Sequence, residues 1–329
     1  MGFWQKTSVL VTGAGGFIGS HLVEKLLALG ANVTAFVRYN SRNEAGLLEF
    51  IGDKEKGVRI VYGDIRELET VRDVVKGASI VFHLAALTGT PYSYIHASEV
   101  VEVNTLGALN VLNAAREYGV SRVIFTSTCE VYGTALYVPI DERHPKQSKS
   151  PYGASKIAAD AISLSFCHSF GLPVTIVRLF NTYGPRQSDR AIIPTVICQA
   201  LTKEEILIGN TKPTRDFTFI TDIIEGFIRV TESERSVGEE INLGSGREIS
   251  IGNLAKKIAT LIGRKIRIRQ AEDRLRPMGS EVDRLISDSS KARESVGWEP
   301  EVDLDEGLNL TIEWIKNHLG MYAPNAYRI

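Results

Sequence analysis

Cysteine is scarce in this sequence, and its scarcity excludes two kinds of protein. The 329 residues include 3 cysteines, Cys129, Cys167 and Cys198. Because their number is odd and their spacing is not that of metal ligands, they predict neither a disulfide framework nor a metal site. Reduced thiols are typical of cytoplasmic proteins, so we expect a cytoplasmic protein without a bound metal.

Long apolar runs and an excess of one charge are missing as well. The N-terminal stretch MGFWQKTSVLVTG holds a short apolar run that ends at once in a turn, and no later run reaches the roughly 18 residues of a membrane span. Lys and Arg number 38 and Asp and Glu 39, for a formal net charge of −1. This balance argues against nucleic acid as a partner, and the short runs argue against a membrane.

The sequence does contain a regular alternation of two patterns. Short β-rich segments (SVLVTG, NVTAFVR, RIVYGD, SIVFHLAA, RVIFTST and VTIVRLFNTYG) are separated by helical patterns such as SHLVEKLLALG and NTLGALNVLNAAREYG. Apolar strands that alternate with helices predict an α/β fold with a parallel sheet covered on both faces. The alternation loosens near Asn181. We therefore expect one domain over residues 1–180 and a smaller α/β lobe over residues 181–329, with the chain crossing between them more than once.

Three glycines follow the first predicted strand. Gly13, Gly16 and Gly19 in VLVTGAGGFIGSHL have G-x-x-G-x-x-G spacing and open the next helix. Such glycines let the backbone turn tightly and approach a pyrophosphate, whose charge the helix N-terminus stabilises. The strand–turn–helix context predicts a dinucleotide site in a Rossmann-type, doubly wound sheet; a purely structural turn is the alternative.

The end of the second strand bears on which dinucleotide is bound. Proteins that bind NAD usually have an acid there for the ribose 2′-hydroxyl, but FVRYNSRN offers Arg38 and Arg42 and no acid before Glu44. A guanidinium suits a 2′-phosphate, so this segment favours NADP, while NAD with two solvated arginines remains the alternative. Asp64 and Ile65, after the third strand, are candidates for the adenine side, although an Asp there also suits a helix cap.

Tyr152 and Lys156 in YGASK are four residues apart on a predicted helix, so their side chains share one face. A tyrosine of ordinary pKa is a poor base at neutral pH, and a nearby ammonium is expected to lower its pKa. Such a tyrosine can take the proton of a substrate hydroxyl while hydride leaves the same carbon for a nicotinamide. The pair predicts an oxidoreduction step.

The sequence resembles the extended short-chain dehydrogenase/reductase family, the nucleotide-sugar epimerases and dehydratases, over nearly its whole length. The similar stretches are VTGAGGFIGSHL, GDIRE, VFHLAA, STCEVYG, SPYGASK, RLFNTYGPR, RDFTFITD and INLGSG. The resemblance implies that Thr128 acts with Tyr152 and Lys156, and that HLAA lines the cofactor. The residues that we expect to contact the cofactor are Gly13, Gly16, Phe17, Ile18, Gly19, Arg38, Asn40, Ser41, Arg42, Asp64, Ile65, Leu84, Ala85, Ala86, Asn104, Thr126, Tyr152 and Lys156. Those expected to contact the nucleotide sugar are Thr88, Asn181, Arg186, Arg215 and Glu281.

Glu130, beside Thr128 in STCEVYG, favours a 4,6-dehydratase among the activities of this family. Oxidation of a hexose at C4 makes the C5 proton acidic, and a carboxylate can then remove it as water leaves C6. A 4-epimerase needs no such carboxylate, but the similar UDP-glucuronate decarboxylases also have a Glu there. Cys129 is either the acid for the C6 hydroxyl or an inert small residue. With a cysteine at this position, the sequence also resembles an enzyme that forms a 5,6-alkene sugar. A dinucleotide-binding protein without turnover is the alternative outside enzymes.

The substrate and the assembly follow from the resemblance alone. It favours an N-acetylglucosamine nucleotide, with UDP ahead of GDP, and a product that is a 4-keto-6-deoxy sugar. It also implies a homodimer formed through two long helices, one of which carries Tyr152.

Overall fold

A computed structural model describes residues 2–277 and 279–322 of the protein, without the side chains of residues 53–56. The last residues of the predicted second lobe, 323–329, lie outside the described part. The strands are β1 Ser8–Thr12, β2 Asn32–Arg38, β3 Val58–Gly63, β4 Ile80–His83, β5 Arg122–Thr128, β6 Val174–Leu179, β7 Asn181–Tyr183, β8 Glu205–Ile208, β9 Thr214–Phe219, β10 Glu240–Leu243, β11 Glu248–Ser250, β12 Arg267–Gln270 and β13 Arg284–Leu285.

The helices lie between these strands. They are α1 Phe17–Ala28, α2 Leu68–Val75, α3 Thr90–Ile95, α4 Ala97–Val101, α5 Gly107–Glu117, α6 Pro151–Phe170, α7 Ile192–Thr202, α8 Ile220–Glu232, α9 Ile251–Ile262, α10 Ser290–Val296 and α11 Leu304–Asn317. A π-helical turn, Glu102–Leu106, joins α4 to α5. A short 3₁₀ turn, Cys129–Val131, follows β5 directly.

Seven strands form one parallel sheet in the order β10-β6-β5-β4-β1-β2-β3. Two apolar cores cover its faces: Leu22 of α1 and Phe227 of α8 belong to one, and Val71 of α2, Leu112 of α5 and Phe166 of α6 belong to the other. Strands buried on both faces are apolar throughout, as in a doubly wound sheet. The predicted Rossmann-type α/β fold is confirmed.

Smaller sheets lie beyond the sixth strand. β9 pairs with β11, β13 and β7, and β8 pairs with β12. The predicted strand that turns into a helix is β9 followed by α8. After this excursion the chain returns to the large sheet, where β10 pairs with β6, so the segment beyond Asn181 contributes to both parts of the molecule.

None of the described helices is both long enough and apolar enough to span a bilayer.

Candidate active site

A cavity of about 930 Å³ opens at the carboxyl ends of the parallel strands. The strand order reverses between β1 and β4, and ligands of doubly wound sheets bind at such a switch point. The cavity runs from the glycine turn after β1, past the ends of β5 and β6, to the small sheet around β9. Residues of both predicted lobes line the cavity, from Gly13 to Glu281.

The glycine turn at one end fits a dinucleotide. Gly13 has a φ of +69°, and a Cβ added there would lie 2.8 Å from the backbone nitrogen of Ala85. At Gly19 an added Cβ would lie 2.3 Å from the Gly13 carbonyl oxygen. At both positions the surrounding backbone leaves no room for a side chain, so glycine is required. The N-terminus of α1 faces the cavity beside Phe17 and Ile18. Unpaired N–H groups at a helix N-terminus bind a pyrophosphate.

The end of β2 also borders the cavity, where the sequence predicts the adenosine of a dinucleotide. Arg38, Asn40 and Glu44 line it. Arg38 is 65% exposed, and its guanidinium lies 3.7 Å from the carboxylate of Glu99 on α4. Glu99 also accepts a hydrogen bond from the Tyr92 hydroxyl at 2.6 Å.

Four residues expected on this side lie outside the cavity: Ser41, Arg42, Asp64 and Ile65. Arg42 extends into solvent and pairs with Glu44 at 3.5 Å. Asp64 binds the Arg66 guanidinium at 2.6 Å and accepts from its backbone N–H, which holds the pKa of Asp64 below its ordinary value. Arg42 and Asp64 do not face the cavity, in contrast to the expectation, because each side chain pairs with a neighbouring residue.

The loop after β4 lies across the floor of the cavity. Leu84, Ala86 and Thr88 line it, whereas Ala85 points its N–H at the Thr12 hydroxyl, 3.2 Å away. Asn104, on the π-helical turn, is buried outside the cavity; it accepts from the Leu87 N–H and donates to the Ser155 hydroxyl at 3.0 Å. Asn104 therefore joins the cofactor loop to α6 and does not face the ligand.

Helix α6 presents Tyr152 and Lys156 to the cavity. Its start is fixed by Ser150, whose hydroxyl accepts from the Gly153 N–H at 3.1 Å, and by Pro151 in the first turn. Thr128, at the end of β5, lines the cavity together with Tyr152 and Lys156. The cavity thus brings together the three residues predicted to act on one substrate hydroxyl, with Thr126 alongside.

The charge state of this group departs from the expectation. Burial raises the pKa of Tyr152 above its ordinary value; the hydrogen bond from Thr128 opposes the rise, and the Glu130 charge adds to it. Burial also lowers the pKa of Lys156 to about 8. The Lys156 ammonium lies 4.5 Å above the Phe125 ring.

Glu130 lines the cavity close to this group and has a cationic partner. The Arg276 guanidinium lies 3.8 Å from its carboxylate, and the Glu130 side chain is 14% exposed. The neighbouring Cys129 does not line the cavity: it is 3% exposed and packs with Val131 and Phe180. Burial raises the pKa of the Cys129 thiol, with the Glu130 charge adding to it. This placement favours the inert alternative for Cys129.

The far end of the cavity is cationic. Arg215 and Glu281 line it and approach to 3.9 Å, and Asn210 donates to Glu281 at 3.4 Å. Asn181 also lines the cavity, and its amide donates to the Asp216 carbonyl at 3.3 Å. The sequence reasoning missed two further arginines that line the cavity, Arg274 and Arg276, the second of which acts on Arg215. Their signal was the pair of arginines in RLRPMG, within the most polar stretch of the chain.

Arg186 lies elsewhere. Its guanidinium donates to the Glu24 carboxylate on α1 at 2.8 Å and to the Phe50 carbonyl at 3.4 Å, and it is buried outside the cavity. The backbone at Arg186 has a φ of +68°, which turns the side chain back onto α1 instead of into the cavity. Arg186 therefore ties the two parts of the molecule together and does not reach a diphosphate there.

The whole chain is similar to nucleotide-sugar enzymes of three activities. The family described as GDP-mannose 4,6 dehydratase matches residues 10–311. A UDP-N-acetyl-alpha-D-glucosaminuronate decarboxylase of Bacillus cytotoxicus is 34% identical, covering 95% of this chain and 98% of its own length. Among solved structures, the dTDP-glucose 4,6-dehydratase DesIV of Streptomyces venezuelae, which contains NAD, has a TM-score of 0.88 at 29% identity over 97% of this chain and 99% of that one. The epimerase Mth375 of Methanothermobacter thermautotrophicus has a TM-score of 0.89 at 31% identity over 97% and 94%. With its glycine turn, its Thr–Tyr–Lys group and this similarity along its length, the chain belongs to the NAD-dependent epimerase/dehydratase family of nucleotide-sugar-modifying enzymes.

Proposed function

We propose that this enzyme is a nucleotide-sugar 4,6-dehydratase that converts UDP-N-acetylglucosamine to its 4-keto-6-deoxy product. The observation that carries the proposal is the position of Glu130. Its carboxylate lines the same cavity as Tyr152 and is close enough to raise the pKa of that phenol by its charge. A base next to the residue that acts at C4 is what removal of the C5 proton needs.

Each residue of the site has a separate role in the proposed reaction. Tyr152 takes the proton of the C4 hydroxyl, and the Thr128 hydroxyl, which lines the same cavity, holds the C4 oxygen. A nicotinamide, when bound, would accept the hydride from C4 and return it at C6. The C4 ketone acidifies the C5 proton, Glu130 removes it, and the C6 hydroxyl leaves as water. After hydride reaches C6, a proton from solvent restores the hydrogen at C5. Because Cys129 is packed away from the cavity, Glu130 carries the C5 proton to the departing C6 oxygen.

Arg276 is suited to keeping Glu130 ready for this step. The Arg276 guanidinium lies 3.8 Å from the Glu130 carboxylate, so the proposed base faces an opposite charge. The side chains are largely buried, so solvent screens the pair less than it would on the surface.

The cationic end of the cavity is suited to a nucleoside diphosphate. Arg215, Arg274 and Arg276 supply guanidinium groups, which bind phosphate oxygens in bidentate geometry. Glu281 supplies an acceptor for ribose hydroxyls, with Asn210 bound to it. The choice of uridine and of an N-acetylated hexose comes from the resemblance of the sequence.

We propose NADP as the preferred cofactor, with NAD as the alternative. Arg38 is the predicted 2′-phosphate ligand that lines the cavity, whereas Arg42 does not. Glu99 lies 3.7 Å from Arg38 and would weaken the attraction for a phosphate. The preference that Arg38 confers is therefore modest.

A decarboxylase is the second candidate, because cations surround Glu130. Arg276 and Arg215 both interact with its carboxylate, and they would equally hold the carboxylate of a uronate sugar. A 4-epimerase requires Thr128, Tyr152 and Lys156 alone and leaves Glu130 without a role.

The test is incubation with UDP-N-acetylglucosamine and NADP or NAD in heavy water, with the product identified by mass spectrometry and NMR. We expect loss of one water and incorporation of deuterium at C5. Glu130→Gln is expected to lower the rate about 10²-fold or more, because proton transfer by a placed carboxylate contributes that much. Glu69→Gln, an exposed carboxylate on α2 that pairs with Arg72, is the matched control and should keep full rate.

Three results would contradict the proposal. They are an epimer of unchanged mass, loss of carbon dioxide from the corresponding uronate with no reaction of the neutral sugar, and a Glu130→Gln enzyme with the full dehydration rate.

A further inference from the structure

The backbone that carries Glu130 decides where its carboxylate lies. Its cationic partner, Arg276, is 3.8 Å away, which is too long for a hydrogen bond. Glu130 belongs to the short 3₁₀ turn Cys129–Val131, and its backbone N–H donates to the Thr128 hydroxyl at 3.3 Å. A single 3₁₀ turn has few hydrogen bonds of its own. The direction of the carboxylate therefore depends on what holds the two ends of this turn.

The strand end before the turn is held by α6 and by the neighbouring strand. The Ser127 hydroxyl donates to Oδ2 of Asp160 at 2.9 Å, and Nη2 of Arg178 donates to the same oxygen at 2.8 Å. Arg178 is the β6 residue that pairs with Ser127, and Thr128 pairs with Leu179 in the same ladder. The position of Thr128 therefore follows from the sheet and from Asp160.

Tyr132 follows the turn directly and binds the same guanidinium. Nη1 of Arg178 donates to the Tyr132 hydroxyl at 3.0 Å, and this hydroxyl donates to Oδ1 of Asn242 on β10 at 2.8 Å. The Tyr132 side chain is fully buried and does not line the cavity. One guanidinium is thus linked to both ends of the turn, directly at Tyr132 and through Asp160 at Ser127.

The charges around Arg178 balance one another. Asp160 lies 2.8 Å and Glu240 3.2 Å from its guanidinium, and Lys146 binds Glu240 in turn. Both Arg178 and Asp160 are fully buried. Such a pair adds little net stability, because the cost of desolvation offsets the attraction, whereas its hydrogen bonds fix the direction of the groups that they join. The cluster is therefore suited to holding geometry.

The Tyr132 hydroxyl can be removed without removing the packing of its ring. Tyr132 belongs to one apolar cluster with Cys129 and Val131, and Tyr132→Phe would keep that packing. Nη1 of Arg178 would keep its hydrogen bond to Glu240 at 3.3 Å. We therefore expect Tyr132→Phe to fold and to lose the polar tie alone.

We propose that Tyr132 is a positioning residue for Glu130: its hydroxyl, bound to Arg178 and Asn242, fixes the turn that holds the carboxylate in the cavity. The inference rests on the proposed function, in which Glu130 removes the C5 proton. It adds a residue that touches no substrate. It also separates the placement of Glu130 from that of Thr128, which the sheet holds.

The first test is hydrogen–deuterium exchange of the full-length enzyme without substrate, with mass spectrometry of the peptides that contain Cys129–Val131. Tyr132→Phe should speed exchange in this turn roughly 5-fold or more, because the loss of a buried hydrogen bond favours local opening by that order. Tyr183→Phe is the matched control. The Tyr183 side chain is 1% exposed and its hydroxyl donates to the Leu304 carbonyl at 3.5 Å, so exchange in the turn should stay unchanged.

The second test separates the two chemical steps of the proposed reaction. With UDP-N-acetylglucosamine in heavy water, Tyr132→Phe should slow deuterium incorporation at C5 about 10-fold or more, because a small misplacement of a reacting group costs at least that much. The rate at which reduced nicotinamide forms in a single turnover reports C4 oxidation by Tyr152 and Thr128, and it should not change. A general loss of structure would slow both steps together.

Unchanged exchange in Tyr132→Phe, an equal increase in Tyr183→Phe, or equal slowing of the two chemical steps would overturn the inference. Should Tyr132→Phe fail to fold, Asn242→Ser removes the acceptor of the same hydroxyl and should speed exchange in the same turn. The exchange experiment needs no substrate. A turn that loosens as expected in an enzyme that converts no nucleotide sugar therefore contradicts the proposed function and leaves the role of Tyr132 standing.

Discussion

Arg38 is the residue on which cofactor preference depends. Removing its guanidinium by Arg38→Ala should weaken NADP binding about 10-fold or more and change NAD binding little, because a charge-assisted pair with phosphate contributes about 1.5–3 kcal/mol. Titration of both cofactors, followed by fluorescence or calorimetry, measures the ratio.

Two neighbours provide the controls for this experiment. Arg42→Ala should leave both affinities unchanged, since Arg42 lies outside the cavity. Glu99→Gln removes the carboxylate 3.7 Å from Arg38 and should strengthen NADP binding. If Arg38→Ala weakened the binding of NAD and NADP equally, Arg38 would not distinguish the two cofactors by the ribose 2′-phosphate.

Single residues could be predicted from the sequence where the chemistry is local. Tyr152 and Lys156 share a helix face by their spacing, and Glu130 lies two residues after Thr128, so a strand end and one helix suffice to place all four at one cavity. Arg276 reaches Glu130 through tertiary packing that no local pattern describes. The direction of the Arg186 side chain depends on one backbone angle, which the motif YGPR does not reveal.

At the scale of elements, the β1–α1 turn is the most constrained feature of the cofactor site. Gly13→Ala should abolish tight NAD or NADP binding and destabilise the fold by more than about 1 kcal/mol, since it adds backbone strain and a contact 2.8 Å from the Ala85 nitrogen. Cofactor titration and thermal unfolding measure the two effects.

Gly119→Ala is the matched control for this turn. Gly119 has a φ of +65° but no atom within 4 Å of an added Cβ. It should lose about 1 kcal/mol of stability and keep full cofactor affinity. Tight binding by Gly13→Ala would mean that the turn adapts and does not need a glycine.

The helix before β5 shows what periodicity cannot reveal. The pattern NTLGALNVLNAAREYG predicts a regular helix, whereas residues 102–106 form a π-helical turn that carries Asn104. One extra residue in a turn changes the backbone hydrogen bonds without changing which residues are apolar. The hydrogen bonds by which Asn104 links Leu87 to Ser155 therefore do not follow from the sequence pattern and are shown by the structure.

At the scale of the whole molecule, helices α4, α5 and α6 pack side by side and expose apolar side chains. Val101 is 44% exposed and Leu106 is 51% exposed. We expect a homodimer through this face, as the family resemblance implies. Leu106→Glu should shift the enzyme to a monomer, because a charge in a buried contact is costly. Light scattering after gel filtration measures the mass.

The control for assembly lies on another helix. Leu310 of α11 is exposed to a similar degree, 46%, and Leu310→Glu should not change the mass. A wild-type monomer, or an unchanged dimer in Leu106→Glu, would contradict the assignment of this face.

The return of β10 has a consequence for attempts to divide the enzyme. A fragment that stops at the predicted boundary near Asn181 would end with β6, whose residues Val174–Leu179 are all buried and would lose the partner strand on their outer side. An unpaired apolar edge strand of this kind pairs with strands of other molecules. Such a fragment should therefore aggregate and not form an independent nucleotide-binding domain. Residues 1–180 therefore depend on β10, a strand of the predicted second lobe, to cover the outer edge of β6.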